Sequence, residues 1–203
     1  MDGKLYRTME FIMKAFILNL LWLVVCLPML TIFPATTALF AVVREWQKEN
    51  DIKVFSAFFR HFKANFKQSF VLGILWIVFT FLLIGDFIIT NQMQSSLKYV
   101  LFAVFFLLSI VYLFVSITIF PVIVHYQVSW KDAIKNAMLF SIGNPHFVLV
   151  SLVVIAGTVV LIFKFPAASM VAFSIASYLI YAVVSKGFHK EKKVQTNYQT
   201  AAE

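Results

Sequence analysis

Side chains that could carry out chemistry are few in this chain and lie far apart. One cysteine, Cys26, stands within an apolar stretch, and the four histidines are His61, His125, His146 and His189. A metal site or a nucleophile with its base needs several such groups close together. The motifs G-x-x-x-x-G-K-[ST], H-E-x-x-H, G-x-S-x-G and C-x-x-C are absent from the sequence. We therefore expect a protein that is not an enzyme and that holds no metal or cofactor.

Two polar side chains within apolar stretches are the candidate functional residues. Asp86 follows Gly85 near the end of a long apolar run, and an acid inside a membrane is a functional candidate by default. The alternative is that Asp86 faces water at the membrane edge. Asn19 is the second candidate, and an amide within a helix bundle usually forms a hydrogen bond with a neighbouring helix. We interpret Asn19 as a structural contact between helices.

The composition is that of a membrane protein. Apolar residues make up 62% of the 203 residues and charged residues 13%, whereas soluble domains have about 45–50% and about 25%. A soluble domain of this length could not bury 24 phenylalanines, but a surface that faces lipid removes the difficulty. We predict an all-α, polytopic membrane protein in the cell membrane.

Uncharged runs and their interruptions predict five to six membrane segments. They cover 15–30, 35–46, 69–89, 99–124, 147–163 and 167–185. Proline disfavours helix at the preceding residue, so Pro28 predicts a kink and Pro34 a break before the second segment. At about 1.5 Å per residue, that segment is roughly 18 Å long. It either crosses a locally thinned bilayer or forms a re-entrant hairpin.

Two amphipathic helices are predicted on the cytoplasmic side, at 55–66 and 129–141. The first places Phe55, Phe58, Phe59, Phe62 and Phe66 on one face and Arg60, Lys63 and Lys67 on others. Such a helix suits the plane of anionic lipid headgroups. The alternative is that its phenylalanine face packs on a partner or on the protein's own spans.

The distribution of charge predicts the topology. With both termini cytoplasmic, 15 of the 17 lysines and arginines lie inside and only Lys98 and Lys164 lie outside. This asymmetry is typical of membrane proteins. It also accounts for the net charge of +8 without a nucleic-acid partner. We predict one membrane domain, residues 1–186, followed by a polar, disordered cytoplasmic tail, residues 187–203.

Three stretches resemble the YesL family, a bacterial membrane domain of unknown function found mostly in Firmicutes. They are GKLYR at 3–7, LNLLWLVVCLPMLTIFPATTALFAVVR at 18–44, and the phenylalanine-rich pattern at 55–69. The resemblance implies no catalytic residues. Because members are often encoded near sugar ABC transporters and sensor kinases, it implies an accessory protein that binds such a membrane partner beside carbohydrate uptake or sensing. The alternative is a small membrane transporter or channel.

The predicted topology can be tested by cysteine labelling in intact cells after Cys26 is replaced. A cysteine at Gln92 should react with a membrane-impermeant maleimide added outside, because the charge asymmetry places this loop outside. Cysteines at Glu49 or Thr196 should react only after the cells are opened. Labelling of Thr196→Cys from outside would contradict the arrangement.

Overall fold

Seven α-helices account for most of residues 2–49 and 51–200, the backbone that this computed structural model describes; side chains are described over 5–49 and 51–188. The helices are α1 (Asp2–Cys26), α2 (Ile32–Lys48), α3 (Val54–Gln92), α4 (Leu97–Tyr126), α5 (Trp130–Gly143), α6 (Pro145–Lys164) and α7 (Ser169–Thr200). Short 3₁₀ turns precede α2 and α7. Helices α1, α3, α4, α6 and α7 are long and apolar enough to cross a membrane. The prediction of an all-α polytopic membrane protein is confirmed.

The first connection is built around Pro28. Helix α1 ends at Cys26, two residues before the proline, as expected because proline disfavours helix at the residue before it. The Thr31 hydroxyl donates hydrogen bonds to the carbonyls of Val25 and Pro28, which satisfies backbone groups that the helix end leaves free. The predicted break before a second helix is present but comes earlier than predicted, because α2 begins at Ile32 and Pro34 lies in its first turn, where its missing N–H costs no helical hydrogen bond.

Helix α2 lies at the centre of the bundle and is buried along most of its length. It contacts α1, α3, α4 and α7. The indole of Trp22 donates to the Thr36 hydroxyl across 3.1 Å, and the ring of Trp46 lies 4.8 Å from that of Phe11. These two contacts show that α2 runs back antiparallel to α1. Its 17 residues correspond to about 25 Å of helix.

Helix α3 is continuous over 39 residues, Val54–Gln92, which is about 58 Å. No glycine or proline separates Phe66 from Ser69, so the predicted amphipathic helix at 55–66 and the following span form one helix. The prediction of a separate helix in the headgroup plane is therefore wrong. Helix α7 continues to Thr200 through lysines, glutamate and glutamines, which favour helix, and the disorder of the tail 187–203 stays a prediction. Residues 201–203 lie outside the described part.

Helices α3 and α4 form an antiparallel pair that extends beyond the rest of the bundle. The Trp76 indole donates to the Ser116 hydroxyl across 2.8 Å, and the hydroxyls of Thr80 and Tyr112 lie 2.7 Å apart. Over 74–92 and 97–114, Thr90 alone among these described side chains is buried. We call these two ranges the distal hairpin, because they point away from the charged end of α2.

Helix α5 is a separate short helix, and it packs closely on α4. Its buried side chains include Ala133, Ala137 and Ser141, which follow one another at intervals of four residues. Small residues at this spacing let two helix backbones approach each other. The hydroxyls of Ser141 and Thr118 lie 2.8 Å apart, so this contact also pairs two polar groups.

The close approach of α3 to the α1–α2 connection predicts the effect of a substitution at Gly73. A Cβ atom at this position would lie 3.1 Å from Cβ of Phe33, so Gly73→Leu should force the two apart. Overpacking of this kind costs roughly 1–3 kcal/mol, and thermal unfolding in detergent should show a lower midpoint. Gly85→Leu is the matched control, because no neighbouring atom lies within 4 Å of its Cβ position. Equal midpoints for the two variants would contradict the packing.

Candidate functional site

Several polar contacts between helices meet at the last turn of α2, residues 44–47, which we call the polar turn. Its sequence is Arg-Glu-Trp-Gln, directly after the buried pair Val42 and Val43. Successive residues on an α-helix point about 100° apart. The four side chains therefore reach four different surroundings, and α1, α3 and α7 all receive contacts from this single turn.

Glu45 joins α2 to α3. Its Oε2 atom lies 2.5 Å from Nη2 of Arg60 and 2.6 Å from Nε2 of His61. Burial of Glu45 acts to raise the pKa of its carboxyl, but the hydrogen bonds and charges of Arg60 and His61 outweigh this and lower the pKa below its ordinary value. The carboxylate is thus held in its charged form between two donors.

The hydroxyl of Tyr181 on α7 lies close to polar groups of two other helices. It is within electrostatic range of Arg44 on α2, and Nδ1 of His125 on α4 lies 3.3 Å from it. Nε of Arg44 is buried with no hydrogen-bond partner among the described residues.

Trp46 and Gln47 attach α2 to α1 and α7. The Trp46 ring lies between Phe11 and Tyr178, at centroid distances of 4.8 and 5.4 Å. Nε2 of Gln47 donates to the Tyr178 carbonyl across 2.8 Å. A cavity of about 350 Å³ adjoins these contacts and is lined by Arg7, Glu10, Phe11, Lys14, Trp46 and Tyr178.

The chemistry available at the polar turn is hydrogen bonding and ion pairing. Over the described residues, no three His, Cys, Asp or Glu side chains come close enough to hold a metal ion. Glu45 is engaged by two donors, and Lys14 pairs with Glu10 at 2.6 Å. The arrangement therefore fixes the helices relative to one another.

The two polar candidates from the sequence lie away from the polar turn. Asn19 is fully buried, and its Nδ2 donates to the Ser169 carbonyl of α7 across 2.8 Å. The interpretation of Asn19 as a contact between helices is confirmed. Asp86 is half-buried in the distal hairpin, and it forms no ion pair within the described part of the chain.

The phenylalanine-rich face at 55–66 is divided between the core and the surface. Phe58 is fully buried, whereas Phe55 is 63% exposed. Phe59, Phe62 and Phe66 are half-buried, and Arg60, Lys63 and Lys67 are exposed. The prediction that Phe58 faces lipid headgroups is wrong, because this half of α3 packs against α2 and buries the face that carries Phe58.

The comparisons with known proteins agree with the resemblance seen in the sequence. Residues 15–87 match the family described as a protein of unknown function, DUF624. The chain is 36% identical over 152 residues to the uncharacterized protein YesL of Bacillus subtilis, covering 73% of this chain and 70% of that protein. The chain belongs to the YesL-like family. It is also 29% identical to YteU of the same organism, over 91% of this chain and 86% of YteU. No solved structure matches.

This YesL-like chain contains contacts that the sequence analysis missed. Arg44 was counted there only among the cytoplasmic lysines and arginines, and neither Glu45 nor Tyr181 was singled out. The available signal was the position of Arg-Glu-Trp-Gln directly after an uncharged run. A helix buried along its length can place polar groups only where neighbouring helices satisfy them.

Glu45 provides a prediction for stability and its dependence on pH. Glu45→Gln should lower the free energy of unfolding at neutral pH by about 1.5–3 kcal/mol, the usual range for a hydrogen bond to a charged group. Because the folded protein has the lower pKa, the stabilisation is complete above the carboxyl's ordinary pKa and is lost as pH falls through the folded-state pKa. Denaturant unfolding at several pH values measures this.

The exposed acid Asp51 provides the control for this experiment. Asp51→Asn should change stability little at any pH, since surface substitutions usually have small effects. A difference between Glu45→Gln and the unmodified chain that stays constant into strong acid would contradict the role given to the carboxylate.

Proposed function

We propose that this YesL-like protein is a non-enzymatic accessory protein that binds another integral membrane protein through its distal hairpin. The observation that supports this most directly is the low burial of the hairpin's side chains. Apart from Thr90, no side chain over 74–92 or 97–114 is buried. A surface of this kind is available to a helical partner in the membrane.

The chemistry of the hairpin surface suits such a partner. Phe81 and Phe106 are 70% and 68% exposed, so large apolar side chains point outward from both helices. Helices in lipid associate through van der Waals packing and through polar side chains that bond across the interface. Asp86 supplies an acid on the same hairpin, and a donor or cation from a partner would satisfy it.

The kind of partner follows from the family resemblance alone. Because YesL-like members are often encoded near sugar ABC transporters and sensor kinases, we propose a partner from one of these two classes, beside carbohydrate uptake or sensing. The non-enzymatic part of the proposal is supported by Glu45, the acid of the polar turn, which is engaged by Arg60 and His61.

One feature favours the alternative, a small transporter or channel. A cavity of about 250 Å³ lies between α2, α4, α6 and α7, and four hydroxyl residues, Thr36, Ser116, Thr158 and Ser177, contribute to its lining. The rest of the lining is apolar and none of it is charged. A transport pathway for a polar solute needs more polar groups than this, so we favour the accessory role.

Site-specific photocrosslinking followed by affinity capture tests the accessory role. A photoreactive amino acid at Leu82 or Leu107, which are 57% and 64% exposed on the distal hairpin, should yield a discrete adduct with one membrane protein. The same probe at Leu149, 53% exposed on α6, is the matched control and should yield none. Asp86→Asn should reduce the adduct several-fold, since it removes the charge that a partner would pair.

Two outcomes would contradict the accessory role. The first is repeated recovery of the chain alone after crosslinking from both hairpin positions. The second is equal adduct formation from the hairpin positions and from Leu149, because that result would indicate random collisions in the membrane.

A further inference from the structure

We propose that the α1–α2 hairpin is re-entrant, with its tip, residues 27–32, ending among the lipid acyl chains and both its arms returning to one side of the membrane. This inference concerns how the chain sits in the bilayer, and it is independent of the proposed accessory role. Three observations carry it: the length of the arms, the chemistry of the tip, and the level of the tip beside α3.

The uncharged stretch of each arm is shorter than the hydrocarbon core of the bilayer. In α1, the uncharged helical residues after Lys14 are 15–26, and in α2 those before Arg44 are 32–43. Twelve residues of helix span about 18 Å, whereas the hydrocarbon core is about 30 Å thick. With the charged ends of both arms at the membrane surface, the tip stops roughly 12 Å short of the opposite surface.

The tip is composed for an apolar surrounding. Leu27, Met29 and Leu30 are 79%, 83% and 60% exposed, and no charged residue occurs between Lys14 and Arg44. Several polar groups of the turn are satisfied internally: the Thr31 hydroxyl shares its proton between the carbonyls of Val25 and Pro28, and the N–H of Thr31 donates to the Pro28 carbonyl. Backbone at membrane depth requires satisfaction of this kind. A loop in water would gain nothing from three exposed apolar side chains.

The level of the tip is given by Phe33, the residue directly after it, which contacts α3. Phe33 lies against Gly73 and its ring is 5.9 Å from that of Trp76. Gly73 is six residues, about 9 Å, from Lys67, and thirteen residues, about 20 Å, from Asp86. Lys67 and Asp86 enclose an uncharged stretch of about 27 Å, which matches the hydrocarbon core. The tip therefore lies well inside this layer.

The α6–α7 hairpin provides a contrast. Its turn carries Lys164, and the uncharged stretches on either side of that lysine are 147–163 and 165–185, which are about 26 and 32 Å long as helix. These arms are long enough for the Lys164 ammonium to reach the opposite headgroups by extending its stem. The α1–α2 hairpin differs in both respects, because its tip carries no charge and its uncharged arms are short. We therefore propose a re-entrant position for that hairpin alone.

Spin labelling of the full chain in sealed phosphatidylcholine–phosphatidylglycerol vesicles tests the depth of the tip. With Cys26 replaced by serine, single cysteines at Met29, Phe79 and Ser95 carry a nitroxide. Phe79 is exposed in the middle of α3 and Ser95 lies in the exposed α3–α4 loop, so they serve as acyl-chain and water references. We expect position 29 to collide readily with oxygen, which dissolves in lipid, and at least tenfold less with a water-soluble nickel chelate than position 95 does.

The outcomes at position 29 are distinct. Accessibility like that of position 79 supports a re-entrant tip. Accessibility to the nickel chelate like that of position 95 would show a tip in water and overturn the proposal. Low accessibility to both reagents would show a tip covered by protein, and would also overturn it. Each labelled variant should keep the thermal midpoint of the Cys26→Ser parent, so that a failure to fold is recognised separately.

Discussion

The burial of α2 is the constraint on which the rest of the structure depends. In lipid, apolar side chains gain little from leaving the solvent, so helices associate by close packing and by satisfying one another's polar groups. Helix α2 provides both. Its buried residues include Ala35, Ala38 and Ala41, which let neighbouring backbones approach, and Thr37, whose hydroxyl lies 2.9 Å from that of Ser69 on α3. A single helix of 17 residues thus sets the positions of α1, α3, α4 and α7.

The polar turn adds rotational specificity to this packing. Apolar faces alone allow a helix to rotate by a few tens of degrees at little cost, whereas an ion pair and directional hydrogen bonds do not. Glu45 fixes α2 against Arg60 of α3, and Gln47 fixes it against a backbone carbonyl of α7. Polar and charged side chains are tolerated here because the turn lies at the end of the helix. The cost of removing a charge from water is lower there than at mid-membrane.

The sequence predicted the helical membrane fold and most of the spans, because long uncharged runs have few other interpretations. The helical spacing of the phenylalanines could not show what covers their face. Phe58 is buried within the protein and does not face lipid. It also could not find the boundary between a surface helix and a span where no glycine or proline marks one, as in α3. The contact from Asn19 to Ser169 joins residues 150 positions apart, and no local pattern specifies a pair at that separation.

The short α1–α2 hairpin and the long α3–α4 pair are two consequences of the same geometry. Because α2 turns back to the charged end after about 25 Å, it cannot cover the distal part of α3, which continues for 16 residues beyond Trp76. The distal hairpin is therefore exposed because α2 is short. What covers it, lipid or a partner helix, depends on whether Asp86 finds a donor. An acid on an otherwise apolar surface favours a neighbour that supplies one, and lipid acyl chains supply none.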